Sequence, residues 1–64
     1  MRPRILEQVH ALNNALTTIL GLADWHLTTP DLPEPLRSDL SRIVDAARNA
    51  ETAANRIRQL AGRR

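Results

Sequence analysis

His10 is preceded by Glu7 and followed at short spacing by Asn13, Asn14, Thr17 and Thr18. A neutral imidazole that is exposed and held in one tautomer can act as a nucleophile. Asn and Thr are poor helix formers, each up to about 0.7 kcal/mol worse than Ala. Four of them nevertheless crowd into the six residues from Asn13 to Thr18. Helix stability alone would not choose them, so packing or function must.

The elements that position these side chains follow from the apolar spacing. Val9, Leu12, Leu16, Ile19 and Ala23 recur three and four residues apart, the pattern of one stripe on a helix. With Val9 at position a of a heptad, Ile5, Leu12 and Ile19 fall at d, Leu16 and Ala23 at a. His10 and Thr17 fall at b, and Asn14 and Gly21 at f, away from the stripe. Glu7 and Asn14 lie about one turn before and after His10 on that face. This predicts a first helix over about 3–28, opened by Pro3, which fits the first helical turn. Gly21 weakens that helix by up to about 1 kcal/mol relative to Ala. It reads either as a tolerated glycine or as a point of close approach from outside.

The segment Thr28-Thr29-Pro30-Asp31-Leu32-Pro33-Glu34-Pro35 cannot continue a helix. It predicts a loop over about 29–34. Leu36, Leu40, Ile43, Ala47, Ala50, Ala54, Ile57 and Ala61 then alternate spacings of four and three, which predicts a second helix over about 35–61 and a second seam. Gly62 is its expected stop. Two such helices joined by a short turn make an antiparallel hairpin, one domain over 1–64. A hairpin leaves half of each seam in water, so the fold expected is all-α, a hairpin that dimerises into a four-helix bundle. Trp25 is expected to cap the loop end of the bundle and His26, at a d position, to pack there.

The bulk numbers agree with a small helical module. Sixty-four residues bury little core alone, and such scaffolds usually need disulfides, metal or oligomerisation. There is no Cys, hence no disulfide and no thiolate metal site, and His10 and His26 are too far apart on one helix to share an ion. No apolar run reaches the roughly 18 residues of a membrane span, and residues 1–4 do not begin a secretory signal. A cytoplasmic location is expected. All nine basic residues are Arg, the net charge is +2, and charges are mixed along the chain. Arg2 and Arg4 should meet Arg63 and Arg64 at one end of the hairpin. With no aromatic residue but Trp25, that small patch argues against nucleic acid as the partner.

The run His10-x-x-Asn13-Asn14-x-Leu16-Thr17-x-Ile19-Leu20-Gly21-x-Ala23 resembles the first helix of the dimerisation and histidine-phosphotransfer domain of sensor histidine kinases, in the subset found often in hybrid kinases. Leu32-Pro33-Glu34 and Ala53-Ala54-Asn55-Arg56-Ile57-Arg58-Gln59-Leu60 resemble the opening and close of its second helix. The resemblance covers nearly the whole chain.

That resemblance implies that His10 is a phosphoacceptor. It would take the γ-phosphoryl group of ATP held by a separate histidine-kinase catalytic domain and pass it to an aspartate of a response-regulator receiver domain. Asn14 matches the position that helps orient a water when the regulator is dephosphorylated. The expected partners are thus a second copy, a catalytic domain and a receiver domain. No cofactor is expected in this chain itself, ATP entering only through the catalytic domain. Two departures matter. Ala11 stands where the family usually has an acidic residue that accepts the other ring N–H, and Glu7 is the available substitute on the same face. The chain has no glycine-rich nucleotide lid, so it is not expected to be a kinase on its own. A catalytically silent dimerisation module of the same fold is the alternative.

Overall fold

Pro30, Pro33 and Pro35 divide the chain as their chemistry requires. In the structure, a computed structural model that describes residues 3–62, α1 spans Pro3–Leu27 and α2 spans Glu34–Ala61. The two helices pack against each other as an antiparallel hairpin about one helix pair thick, 50 × 14 × 12 Å. Arg2, Arg63 and Arg64 lie outside the described residues; of the expected arginine cluster only Arg4 is placed, and it is exposed. Among the described residues no helix is long and apolar enough to cross a membrane.

The end of α1 is closed by tight backbone turns. The Thr28 and Thr29 N–H groups donate to the carbonyls of Trp25 and His26, each at 3.1 Å, and the Thr28 hydroxyl adds a bond to the Trp25 carbonyl at 2.6 Å. α2 opens without a side-chain cap. Pro33 is its N-cap residue and Pro35 sits in the first turn, where a missing N–H is harmless, while Glu34 brings negative charge to the helix N-terminus. Gly62 ends α2 at φ −81°, a conformation open to any residue, with its N–H bonded to the Arg58 carbonyl at 2.9 Å.

Each apolar stripe splits into two columns. On α1, Val9, Leu16, Leu20 and Ala23 are buried, and Leu6, Asn13 and Leu27 are half-buried beside them. This column, at a and e, faces α2. The d residues Ile5, Leu12 and Ile19, with Leu22, remain exposed. On α2, Val44, Ala47 and Ala54 are buried and Arg37, Leu40, Glu51 and Ala61 half-buried, whereas Leu36, Ile43, Ile57 and Leu60 are exposed. The single seam expected on each helix is therefore corrected: only its a column on α1, and only Leu40, Ala47, Ala50, Ala54 and Ala61 on α2, meet the other helix. Ala54 is the most enclosed residue, at 0% exposure, because alanines there let the backbones close.

In both helices exposed apolar residues precede inward-facing ones by one position: Leu12 before Asn13, Ile19 before Leu20, Ile43 before Val44, Leu60 before Ala61. In an antiparallel pair of right-handed helices, the same one-residue offset turns both columns to the same side. The exposed columns thus join into one apolar face along the hairpin. Trp25 and His26 do not pack over the loop end as expected. Trp25 is 70% exposed and its ring lies 5.8 Å from the exposed His26 ring. Leu27, packed on the core, and Arg37 close that end instead.

Candidate functional site

His10 follows the buried Val9 by one position, so it stands on the side of the hairpin opposite the apolar face. Glu7, Asn14, Thr17, Gly21 and Asp24 follow Leu6, Asn13, Leu16, Leu20 and Ala23 in the same way, and all are exposed. On α2 the corresponding positions are Ser38, Ser41, Asp45, Arg48, Thr52 and Asn55, also exposed. The ion pair between Arg48 and Asp24, Nη2 to Oδ2 at 3.7 Å, joins the two rows and fixes them on one side. The hairpin therefore has an apolar face and a polar face, with His10 on the polar one.

The four poor helix formers after His10 have separate fates. Thr18 donates its hydroxyl to the Asn14 carbonyl at 3.2 Å, the local back-bond open to a helical Thr. Asn13 turns into the seam and is half-buried against α2. Asn14 and Thr17 remain on the His10 face. Gly21 lies there too, and a Cβ built on it meets nothing within 4 Å, so nothing inside the hairpin requires a glycine. The structure brings Glu7, His10 and Asn14 onto one face, as three successive turns of α1. It does not join them: among the described residues no hydrogen bond or ion pair links Glu7 or Asn14 to the imidazole.

Two further polar residues escaped the heptad reading. Glu51 lies in the inward column of α2, half-buried among Ala47, Ala50 and Ala54. Arg37 lies in the same column near the loop, and its guanidinium donates to the Leu27 and Thr29 carbonyls. A carboxylate and a guanidinium at positions that continue an Ala/Leu column were the available signals.

The polar face is a ridge. No pocket is present among the described residues, and no group of three His, Asp or Glu side chains is placed to hold a metal ion there. An imidazole so placed is open to a macromolecular partner approaching from the side, and the rigid helix fixes its direction. Comparison with family models, with curated proteins and with solved structures found no match.

Proposed function

We propose that this chain is the phosphoacceptor and dimerisation module of a two-component signalling system. The free ring nitrogen of neutral His10 attacks the γ-phosphorus of ATP held by a histidine-kinase catalytic domain. A P–N bond forms, the bond to the leaving oxygen breaks, and ADP carries away the electron pair. A receiver-domain aspartate oxygen then takes the phosphoryl group, breaking the P–N bond and restoring the imidazole. Asn14, one turn along, orients the water when the regulator's phosphoryl group is hydrolysed. Such a module works in the cytoplasm.

The observation that carries this reading is the separation of the two faces. A second hairpin covering the apolar face leaves His10 and Asn14 open to catalytic and receiver domains. The surface supports a second copy. The chain exposes 5124 Å², against about 4100 Å² for a compact monomer of this mass. The excess of roughly 1000 Å² is the scale of one partner's share of a standard interface. The test is phosphotransfer to His10 from an isolated catalytic domain with ATP, or back from a phosphorylated receiver domain.

A silent dimerisation module of the same fold is the second reading. Ala11 offers no carboxylate beside His10 and the exposed Glu7 makes no bond to it. A folded dimer that takes no phosphoryl group from several donors would establish that reading.

A further inference from the structure

We infer that the outer side of α1, from Ala11 to Trp25, is a docking seam for an amphipathic helix with basic flanks, supplied by a partner protein. This goes beyond the phosphoacceptor reading and does not depend on it.

The two helices differ on the sides they turn away from each other. A residue two positions beyond an inward one lies about 200° round the helix, on the far side from the opposite helix. On α2, Arg42, Asn49 and Arg56 stand two beyond Leu40, Ala47 and Ala54, and all three are exposed, the composition of a solvated side. On α1 the same positions, two beyond Val9, Leu16 and Ala23, hold Ala11, Thr18 and Trp25. Ala15 and Leu22 fill the gaps, so the row advances by four, three, four and three residues. That is the repeat by which helices pack on one another. All five residues are exposed, Leu22 at 53% and Trp25 at 70%. The row carries no charge, and its one hydroxyl, that of Thr18, is already bonded to the Asn14 carbonyl at 3.2 Å.

A second hairpin on the apolar face does not cover this row. That face begins at Leu12 and Ile19, one position before the inward column. Trp25 lies midway between the inward Ala23 and Leu27 in sequence, and so on the side of α1 opposite α2.

Shape and charge select the occupant. Ala11 and Ala15 let another backbone come close at one end of the row, and Leu22 and Trp25 offer large apolar anchors at the other. The row is about 21 Å long, about four turns, which a single helix matches. From Asp24 to Asp39 the chain carries four carboxylates, Asp24, Asp31, Glu34 and Asp39, all exposed. The one basic side chain in that stretch is Arg37, whose guanidinium is taken up by the Leu27 and Thr29 carbonyls. A cation on the arriving helix is drawn both by these carboxylates and by the open face of the Trp25 ring.

Trp25 is the only aromatic residue of the chain, so its fluorescence reports the seam directly. The probes are tryptophan-free peptides of about 18 residues, long enough to cover the row. They carry a Leu/Ala stripe at heptad spacing, set in several registers, with either Arg or Glu flanks. Arg-flanked peptides should move Trp25 emission to shorter wavelength and shield it from acrylamide, saturably. Glu-flanked peptides should bind at least about tenfold more weakly at low salt. Ala15→Glu and Leu22→Glu place a good helix former at exposed sites. Circular dichroism should show both folded, and calorimetry should show peptide binding weakened about tenfold or more. The assignment is overturned if no Arg-flanked peptide binds, if Glu-flanked peptides bind equally well, or if both variants bind as the parent does. Acrylamide quenching of Trp25 without peptide should be the same in the parent and in Ile43→Glu, whose substitution lies on the apolar face. Stronger quenching in Ile43→Glu would give the row to the contact between copies and likewise overturn the assignment.

Discussion

The Arg37 guanidinium of α2 reaches over the end of α1 and donates to the Leu27 carbonyl at 3.0 Å and to the Thr29 carbonyl at 3.1 Å. The last carbonyls of a helix lack internal partners, and here a forked cation from the opposite helix supplies two bonds while its charge matches the negative end of the α1 dipole. Arg37→Ala should therefore lower stability by about 1–2 kcal/mol, with the half-buried Leu27 carbonyl left unpaired. Arg37→Lys keeps the charge but loses the fork, and should recover less than half. Urea denaturation at one fixed protein concentration measures both, and equal stability of Arg37→Ala and the parent would remove the clamp from the account.

Gly21→Ala should stabilise the chain by up to about 1 kcal/mol, because the site is helical, exposed and open around the added methyl. Phosphotransfer should not change, since nothing in the hairpin uses the glycine. A stability gain accompanied by loss of transfer would show that a partner's backbone approaches α1 at Gly21.

The two faces predict opposite outcomes for charge. Leu12→Glu or Ile43→Glu places a carboxylate in the apolar face and should shift the dimer toward monomer by tenfold or more in dissociation constant, roughly 1.4 kcal/mol. Arg48→Glu, on the other side, should leave association within about threefold, a change below about 1 kcal/mol. Sedimentation equilibrium over a concentration series reads both. If Arg48→Glu dissociates the dimer and Ile43→Glu does not, the assignment of the faces is reversed.

The Arg48–Asp24 pair itself should contribute little. Its members are more than half exposed and 3.7 Å apart, so Asp24→Asn should cost less than about 1 kcal/mol in thermal denaturation. A larger loss would mean the pair is covered in the assembled protein.

Much of the fold was legible in the residues. Three prolines between Pro30 and Pro35 force the break, and three-and-four spacing on both sides of it requires two helices, which the hairpin satisfies. The b position of His10 places it off the apolar stripe from spacing alone. The choice of flank was not legible. On α1 the a residues are bordered by Leu12 and Ile19 on one side and by Leu6, Leu20 and Leu27 on the other. Both borders are equally apolar, so periodicity gives an apolar arc without saying which edge meets α2. The same ambiguity misplaced His26, whose d position turned out exposed, and Trp25. Arg37 was hidden for another reason: a side chain that bonds to backbone carbonyls across a loop leaves no periodic trace. Asn13 and Glu51 were visible as polar interruptions only once the inward columns were known.

The central claim is that His10 carries a phosphoryl group, and the direct measurement is transfer. The purified chain is incubated with an isolated histidine-kinase catalytic domain and ATP, and in parallel with a phosphorylated receiver domain, with His10→Gln as control. The account predicts acid-labile, alkali-stable phosphate on the parent chain, absent from His10→Gln. A folded dimer that acquires no such label from several donors, or a label that persists in His10→Gln, would contradict it.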